Sequence, residues 1–195
     1  MNYLAHFHLS HGSDELMTGA LLGDFIKGPL KGERSKALEQ GILLHRKIDA
    51  FTDCHQQLNT TQQLFDPIYR RYAAIMTDVV FDHFLNRHWQ QFHHQPLTQF
   101  SQQIFTLLTD NEQLVGAAQR QAEQLSRYDV FIQYQHWQTV ESALFNIGQR
   151  IKRDNPLATA ADEMLRFYPQ LEQQFLNFYP DLQQYAASVR QGFDE

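Results

Sequence analysis

Cysteine is nearly absent from this sequence, and basic residues are outnumbered by acidic ones. The single cysteine, Cys54, cannot form an intrachain disulfide and leaves no paired cysteines for a structural zinc site. Lys and Arg total 16 against 22 Asp and Glu, and the net charge of −6 argues against a nucleic-acid binder. No apolar run is long enough to span a membrane, and the N-terminal residues do not resemble a signal peptide. We therefore expect a soluble, cytoplasmic protein that binds neither nucleic acid nor membrane.

Apolar residues at helical spacing run along the whole chain, which has 195 residues, 43% of them hydrophobic. The pattern predicts an all-α fold with one multi-helix domain spanning 1–195. It places helices over about 16–27, 33–58 and 66–92, and a break at Pro180. Nine of the ten histidines precede residue 95. We therefore expect residues 1–95 to carry the chemistry and residues 96–195 to form a helical cover and extension.

Two carboxylates lie four residues apart in the apolar segment around residues 77–89. Asp78 and Asp82 would share one face of a helix that is buried around most of its circumference, and His83 follows directly. Buried carboxylates are costly unless something compensates their charge, and a divalent cation would do so. The alternatives are an Asp–His or Asp–Arg pair inside a helical core, or a wet cleft without metal.

Another candidate carboxylate, Asp24, follows a segment of small apolar residues. Gly19 and Gly23 lie one turn apart, so they would permit close approach of a neighbouring helix. Asp24 is then a candidate metal ligand, and the alternative is a capping aspartate or an ion pair with Lys27.

His45 and Asp49 are spaced for contact on one helix face. Such a pair can bind a metal together, or the aspartate can orient the histidine, although a surface pair is the simpler alternative. His6 and His8 alternate with apolar residues near the N-terminus, and we expect at least one of them to point into the site. The adjacent His93 and His94 are expected on a loop surface.

A local basic cluster contrasts with the acidic balance of the chain. Its members include Lys27, Lys31, Arg34 and Lys36. Such a cluster suits an acidic or phosphorylated partner, and the alternative is an ordinary solvated surface.

These segments resemble the bacterial acyl carrier protein phosphodiesterases. The resemblance rests on the segments 1–9 (MNYLAHFHL), 19–25 (GALLGDF), 45–49 (HRKID), 52–53 (TD), 78–85 (DVVFDHFL) and 87–89 (RHW). It implies an all-α fold related to the HD phosphohydrolases. The usual adjacent His-Asp doublet is absent, because Asp82-His83 has the reverse order and Arg46 follows His45.

The resemblance also implies a reaction, and on it we base a hypothesis about the roles of individual residues. The reaction is hydrolysis of the phosphodiester between 4′-phosphopantetheine and a serine of holo-acyl carrier protein, the carrier of fatty acid biosynthesis, by metal-activated water. We expect Mn²⁺, with Mg²⁺ or Fe²⁺ possible, and assign the following roles. His6, Asp24, Asp78 and Asp82 bind the metal; His45, Asp49, Arg46 and His83 are catalytic; Lys27, Lys31, Arg34 and Lys36 bind the carrier protein.

Two other functions are compatible with the same residues. One is an HD-like phosphohydrolase that acts on a nucleotide or another small phosphoester. The other is a non-catalytic helical binding protein whose buried acids are structural.

Overall fold

A computed structural model describes residues 3–128 and 130–193, and within these ranges the protein contains helices and no strand. The prediction of an all-α fold is confirmed. The helices are α1 (Tyr3–Leu9), α2 (Asp14–Leu22), α3 (Lys36–Cys54), α4 (Gln56–Leu64), α5 (Pro67–Arg70), α6 (Ala73–Arg87), α7 (Trp89–Phe92), α8 (Leu97–Leu108), α9 (Ala117–Tyr128), α10 (Val130–Gln133), α11 (Trp137–Arg150), α12 (Ala160–Arg166) and α13 (Tyr168–Gln191). Over the described ranges, none of these helices has the length and apolar character needed to cross a membrane.

Helices α2 and α3 pack with their backbones in direct contact. A Cβ atom added to Gly19 would lie 2.4 Å from the carbonyl oxygen of Leu38, and one added to Gly41 would lie 2.4 Å from that of Leu16. No side chain fits at either position, so both glycines are required by the helix crossing. The predicted close approach at Gly19 is thus found, and it brings the end of α2 against the middle of α3.

Helix α6 lies at the centre of the fold, as its apolar sequence predicts. Its side chains are buried on nearly every side, including Met76, Val80 and Phe84, which have no exposed surface. The long helix α13 packs against α6 through Phe175 and Phe178, whose rings contact Phe81. Burial of large aromatic side chains supplies much of the stabilisation of such a core.

Helix α1 is short but almost entirely buried, and the far end of the chain secures it. A hydrogen bond of 2.7 Å joins His8 Nδ1 to the hydroxyl of Tyr179, which has no exposed surface. The guanidinium of Arg190 donates to the carbonyl of Leu9 at 3.2 Å. Both contacts come from α13, so the first and last helices of the described chain fix each other.

Three of the predicted helix boundaries are wrong. Helix α2 ends at Leu22 rather than near residue 27, and the chain turns at Gly23 and Asp24. The predicted helix over 33–58 ends at Cys54, because His55 has extended backbone angles and α4 begins directly after it. The helix predicted over 66–92 is divided into α5, α6 and α7. Apolar periodicity continues across these breaks, so the sequence pattern did not reveal them.

Two expectations about single residues are also wrong. Helix α13 continues through Pro180. A proline inside a helix removes one backbone hydrogen bond, and burial of the neighbouring Phe178, Tyr179 and Leu182 compensates for that loss here.

His93 is buried rather than on a loop surface, because its ring packs among those of His8, Trp89 and Phe100. His94 is exposed, as expected.

Candidate metal centre

Three histidine and aspartate side chains from α1 and α3 converge at one end of the α2–α3 crossing. His6 Nε2 lies 3.2 Å from Asp49 Oδ1, and His45 Nε2 lies 3.1 Å from Asp49 Oδ2. His6 and His45 are buried, whereas Asp49 is 41% exposed, so the group opens to solvent on the carboxylate side. The predicted spacing of His45 and Asp49 therefore produces a direct contact, and α1 adds His6 to it.

The arrangement of the two imidazoles is suited to a metal ion. Their rings are stacked with centroids 3.9 Å apart and planes 14° apart, so both Nε2 atoms face the same carboxylate. One ligand atom from each of His6, His45 and Asp49 lies within 4.8 Å of the others, a grouping found only here in the ranges 3–128 and 130–193. Imidazole and carboxylate donors without thiolate fit Mn²⁺, Fe²⁺ or Zn²⁺.

The backbone of α2 fixes the orientation of the His45 ring. His45 Nδ1 lies 2.7 Å from the carbonyl oxygen of Ala20, and since a carbonyl only accepts, Nδ1 carries the proton. The lone pair of the neutral ring is then on Nε2, which points to the carboxylates. A hydrogen bond of this kind orients most metal-binding histidines in proteins. Gly23 lies directly under the ring, because an added Cβ there would be 2.2 Å from His45 Cγ.

Asp24 joins the group from the turn after α2. Its Oδ1 atom lies 3.5 Å from His45 Nε2, and the hydroxyl of Tyr3 donates a hydrogen bond to its carboxylate. Asp24 is therefore paired with His45 and Tyr3 rather than with Lys27. The sequence indicated Asp24 and the histidines, but it gave no signal for Tyr3 or for the Ala20 carbonyl. Both act through contacts between segments that the sequence does not place side by side.

Without a metal, the pKa values of this group are set by the contacts of His45 with Asp24 and Asp49. Burial lowers the pKa of His45, but the hydrogen bonds and charges of Asp24 and Asp49 outweigh it and raise the pKa to about 9. Burial would raise the pKa of Asp49, but hydrogen bonds from His45 and His6 hold it well below its usual range. Burial lowers the pKa of His6, and the proximity of His45 acts in the same direction. Without metal, a protonated His45 thus lies between two carboxylates while His6 is neutral.

This pairing predicts a pH-dependent contribution of His45 to stability in the presence of a chelator. Because the folded-state pKa of about 9 is above the unfolded value of about 6.5, the contribution is full below pH 6.5 and is lost as the pH rises through about 9. We expect urea unfolding to show the largest free-energy gap between wild type and His45→Asn near pH 6, shrinking towards pH 10. A gap that stays constant over this range would contradict the pairing.

Arg46 and the predicted partner-binding cations lie around the segment 24–35, which connects α2 to α3. Arg46 donates to the carbonyl oxygens of Ile26 and Gly28 at 2.7 and 2.8 Å, so its guanidinium holds this segment against α3. Glu39 accepts hydrogen bonds from the backbone of the same segment. Within it and at the start of α3, Lys27, Lys31 and Lys36 are exposed and Arg34 is half-buried. The basic cluster therefore begins three residues after Asp24.

The predicted residues of α6 occupy two different surroundings. Asp78 is half-buried and lines a cavity that Asp49 also lines. Asp82 is buried. The pKa of Tyr179 is raised mainly because its hydroxyl is buried, and the charge of Asp82 raises it further. His83 Nδ1 lies 2.7 Å from the carbonyl of Tyr134, and its Nε2 lies 2.9 Å from the hydroxyl of Tyr168. Asp78 thus lines the same cavity as Asp49, whereas both nitrogens of His83 have other partners.

The described chain is thus an all-helical protein with a histidine–carboxylate group on α1 and α3, an arrangement suited to metal-assisted hydrolysis. The model of the family "Acyl carrier protein phosphodiesterase" matches residues 1–182. The chain belongs to this family, and the resemblance seen in the sequence is confirmed.

Curated relatives carry the same description. The chain is 34% identical over 181 residues to an acyl carrier protein phosphodiesterase of Klebsiella pneumoniae, covering 90% of this chain and 92% of the relative. It is 31% identical over 184 residues to the corresponding protein of Escherichia coli, again covering 90% and 92%. A relative from Serratia proteamaculans is 46% identical over 91 residues, which are 47% of each chain. No solved structure matches the chain.

Proposed function

We propose that this protein hydrolyses the phosphodiester between 4′-phosphopantetheine and the serine of holo-acyl carrier protein. Water supplies the oxygen that forms the new bond to phosphorus, the bond from phosphorus to the serine oxygen breaks, and the serine oxygen takes up a proton. The products are apo-acyl carrier protein and 4′-phosphopantetheine. Membership of the family supports the substrate, and the contact of Asp49 with both His6 and His45 is the observation that carries the chemistry.

In this proposal His6, His45 and Asp49 hold a divalent cation, with Mn²⁺ as our choice. A bound cation of this type polarises a phosphoryl oxygen and lowers the pKa of water. The geometry favours a ligand role for His45 and Asp49 over the acid–base role expected from the sequence, because both contact His6 directly. Asp24 lies near His45, and Asp78 lines the same cavity as Asp49, so both remain our candidates for further ligands. For Asp82 and His83 we propose structural support of α6.

The remaining residues of the site orient the metal-binding side chains or bind the carrier protein. The Ala20 carbonyl keeps the proton of His45 on Nδ1, and Tyr3 holds Asp24 beside the ring. Arg46 keeps the segment 24–35 in place, so its cations Lys27, Lys31 and Arg34, followed by Lys36 at the start of α3, lie after Asp24 along the chain. We propose that this segment binds the acidic surface of the carrier protein while the phosphodiester reaches the histidines.

Incubation of the purified protein with holo-acyl carrier protein and Mn²⁺ tests the proposed reaction. Intact mass spectrometry should show loss of the phosphopantetheine mass from the carrier protein, and addition of EDTA should abolish that loss. An unchanged carrier mass, with Mn²⁺ bound to the protein, would refute the proposed substrate. Cleavage that continues in EDTA would refute the metal requirement alone.

Reversal of charge on the connecting segment should weaken the reaction with the carrier protein. In Lys31→Glu/Arg34→Glu we expect kcat/KM to fall at least about tenfold at low salt, because attraction of oppositely charged surfaces raises association rates by about 10- to 1000-fold. The loss should shrink as salt is raised. The matched control is Arg120→Glu/Lys152→Glu, which changes two exposed cations outside the segment. Equal losses in both double variants would contradict a specific docking role.

A further inference from the structure

A cavity of about 380 Å³ opens beside Asp49, between α3, α4 and α6. Asp49 is one of its lining residues, and the next turn of α3 contributes Thr52 and Asp53. Helix α4 contributes Leu58 and Gln62, and α6 contributes the opposite wall from Ala74 to Phe81. The cavity is therefore continuous with the candidate metal centre, because one carboxylate belongs to both.

The cavity lining combines apolar side chains with neutral hydrogen-bonding groups. Leu58, Ile75 and Phe81 supply the apolar surface. Gln62 supplies an amide that can both donate and accept, and the cavity also has the hydroxyl of a threonine, Thr77. Such a lining suits a ligand that alternates alkyl groups with amides.

The charged groups of the lining disfavour an occupant that carries several negative charges. The residues that line the cavity in the described chain include the carboxylates Asp49, Asp53 and Asp78 and no lysine or arginine. A second phosphate placed there would meet only like charge, which costs free energy. A nucleotide with several phosphates is therefore disfavoured, whereas an uncharged arm attached to a single phosphate at the metal centre is not.

The length of the cavity also suits an extended arm. Along α6 it extends from Ala74 to Phe81, which is about 10 Å at a rise of 1.5 Å per residue. The pantetheine arm, with bonds near 1.3 to 1.5 Å, stretches about 16 Å from phosphorus to sulfur. Most of the arm, including its dimethyl group and at least one amide, can therefore lie within the cavity.

We propose that this cavity binds the pantetheine arm of the substrate while its phosphodiester lies at His6, His45 and Asp49. The inference rests on the proposed function and adds the place and the residues that recognise the prosthetic group. The carrier protein would contact the segment 24–35 on the Asp24 side, and the arm would enter between α3, α4 and α6 on the Asp49 side. The two parts of the substrate are thus recognised on opposite sides of the reacting phosphorus.

Filling the cavity from either wall tests this assignment. Ala74 on α6 and Gln62 on α4 are both exposed, so tryptophan at either position should fold normally and occupy the cavity. We expect Ala74→Trp and Gln62→Trp each to lower kcat/KM for holo-acyl carrier protein at least 100-fold, with Mn²⁺ binding retained. Phosphate-free pantetheine should inhibit the wild type competitively and lose that inhibition in both variants.

The matched control is Ala117→Trp, at an exposed position in the first turn of α9 that does not line the cavity. It should cleave the carrier protein as the wild type does. If the wild type cleaves holo-acyl carrier protein and both cavity variants cleave it equally well, the arm lies elsewhere and this inference alone fails. If the wild type does not cleave it, the proposed function fails and the inference falls with it.

Discussion

Asp49→Asn should abolish hydrolysis while leaving the fold intact. The amide has the same shape as the carboxylate, but it removes the charge that both His6 and His45 contact at 3.2 and 3.1 Å. We expect Mn²⁺ binding to weaken at least about 100-fold, since even outer groups of metal sites contribute 10- to 100-fold. The rate of phosphopantetheine release should fall about 1000-fold or more, a loss of about 4 kcal/mol of transition-state stabilisation. Calorimetric titration with Mn²⁺ and the mass assay measure the two effects.

The control for this substitution is Asp181→Asn. Asp181 is also an exposed aspartate that pairs with a histidine, His55, at 3.5 Å, but it lies on α13 and outside the candidate metal centre. Loss of one His–Asp pair at the surface should leave both Mn²⁺ binding and hydrolysis near the wild-type level. Retention of full activity in Asp49→Asn would remove the metal-centre assignment.

Gly23→Ala should inactivate the protein through one methyl group. The added Cβ would lie 2.2 Å from Cγ and 2.5 Å from Cδ2 of the His45 ring, far closer than van der Waals contact. The ring must then move away from Ala20 and Asp49, and overpacking of this kind costs about 1 to 3 kcal/mol. We expect kcat/KM to fall about 100-fold and the free energy of unfolding to fall by about 2 kcal/mol, measured by the mass assay and urea unfolding.

Gly192→Ala is the matched control for the added methyl group. Gly192 has right-handed helical backbone angles like Gly23, but its nearest neighbour to an added Cβ is 3.5 Å away, an ordinary contact. Stability and activity should both stay close to those of the wild type. If Gly23→Ala behaved like this control, the His45 ring would not depend on Gly23 for its position.

The sequence predicted the parts of the site that local spacing determines. His45 and Asp49 meet because four residues make just over one helical turn, and α6 is buried because its apolar residues surround the helix. His6 was predicted as a metal ligand, but its contact with Asp49 was not, because a seven-residue segment has no periodicity that reveals its partner. The family resemblance supplied the reaction, which spacing alone left open among three functions.

The parts that the sequence did not predict depend on contacts between distant segments. The Tyr3–Asp24 hydrogen bond and the Ala20 carbonyl at His45 arise from packing of α1, α2 and α3. The burial of His93 arises in the same way, since its neighbours His8 and Phe100 belong to other helices. The closeness of Asp78 and His83 in the sequence suggested one shared site, yet residues five apart on a helix point in different directions.

The attachment of α1 to α13 has a consequence for synthesis of the protein. His6 lies on a helix of seven residues, far too short to be stable alone, and its position depends on contacts of His8 and Leu9 with residues about 170 to 180 positions later. A chain emerging from the ribosome makes its N-terminal residues first, at about 5 to 20 residues per second. The histidine–carboxylate group can therefore be completed only after Tyr179 and Arg190 have left the ribosome, so a nascent chain that lacks these residues has no assembled metal centre.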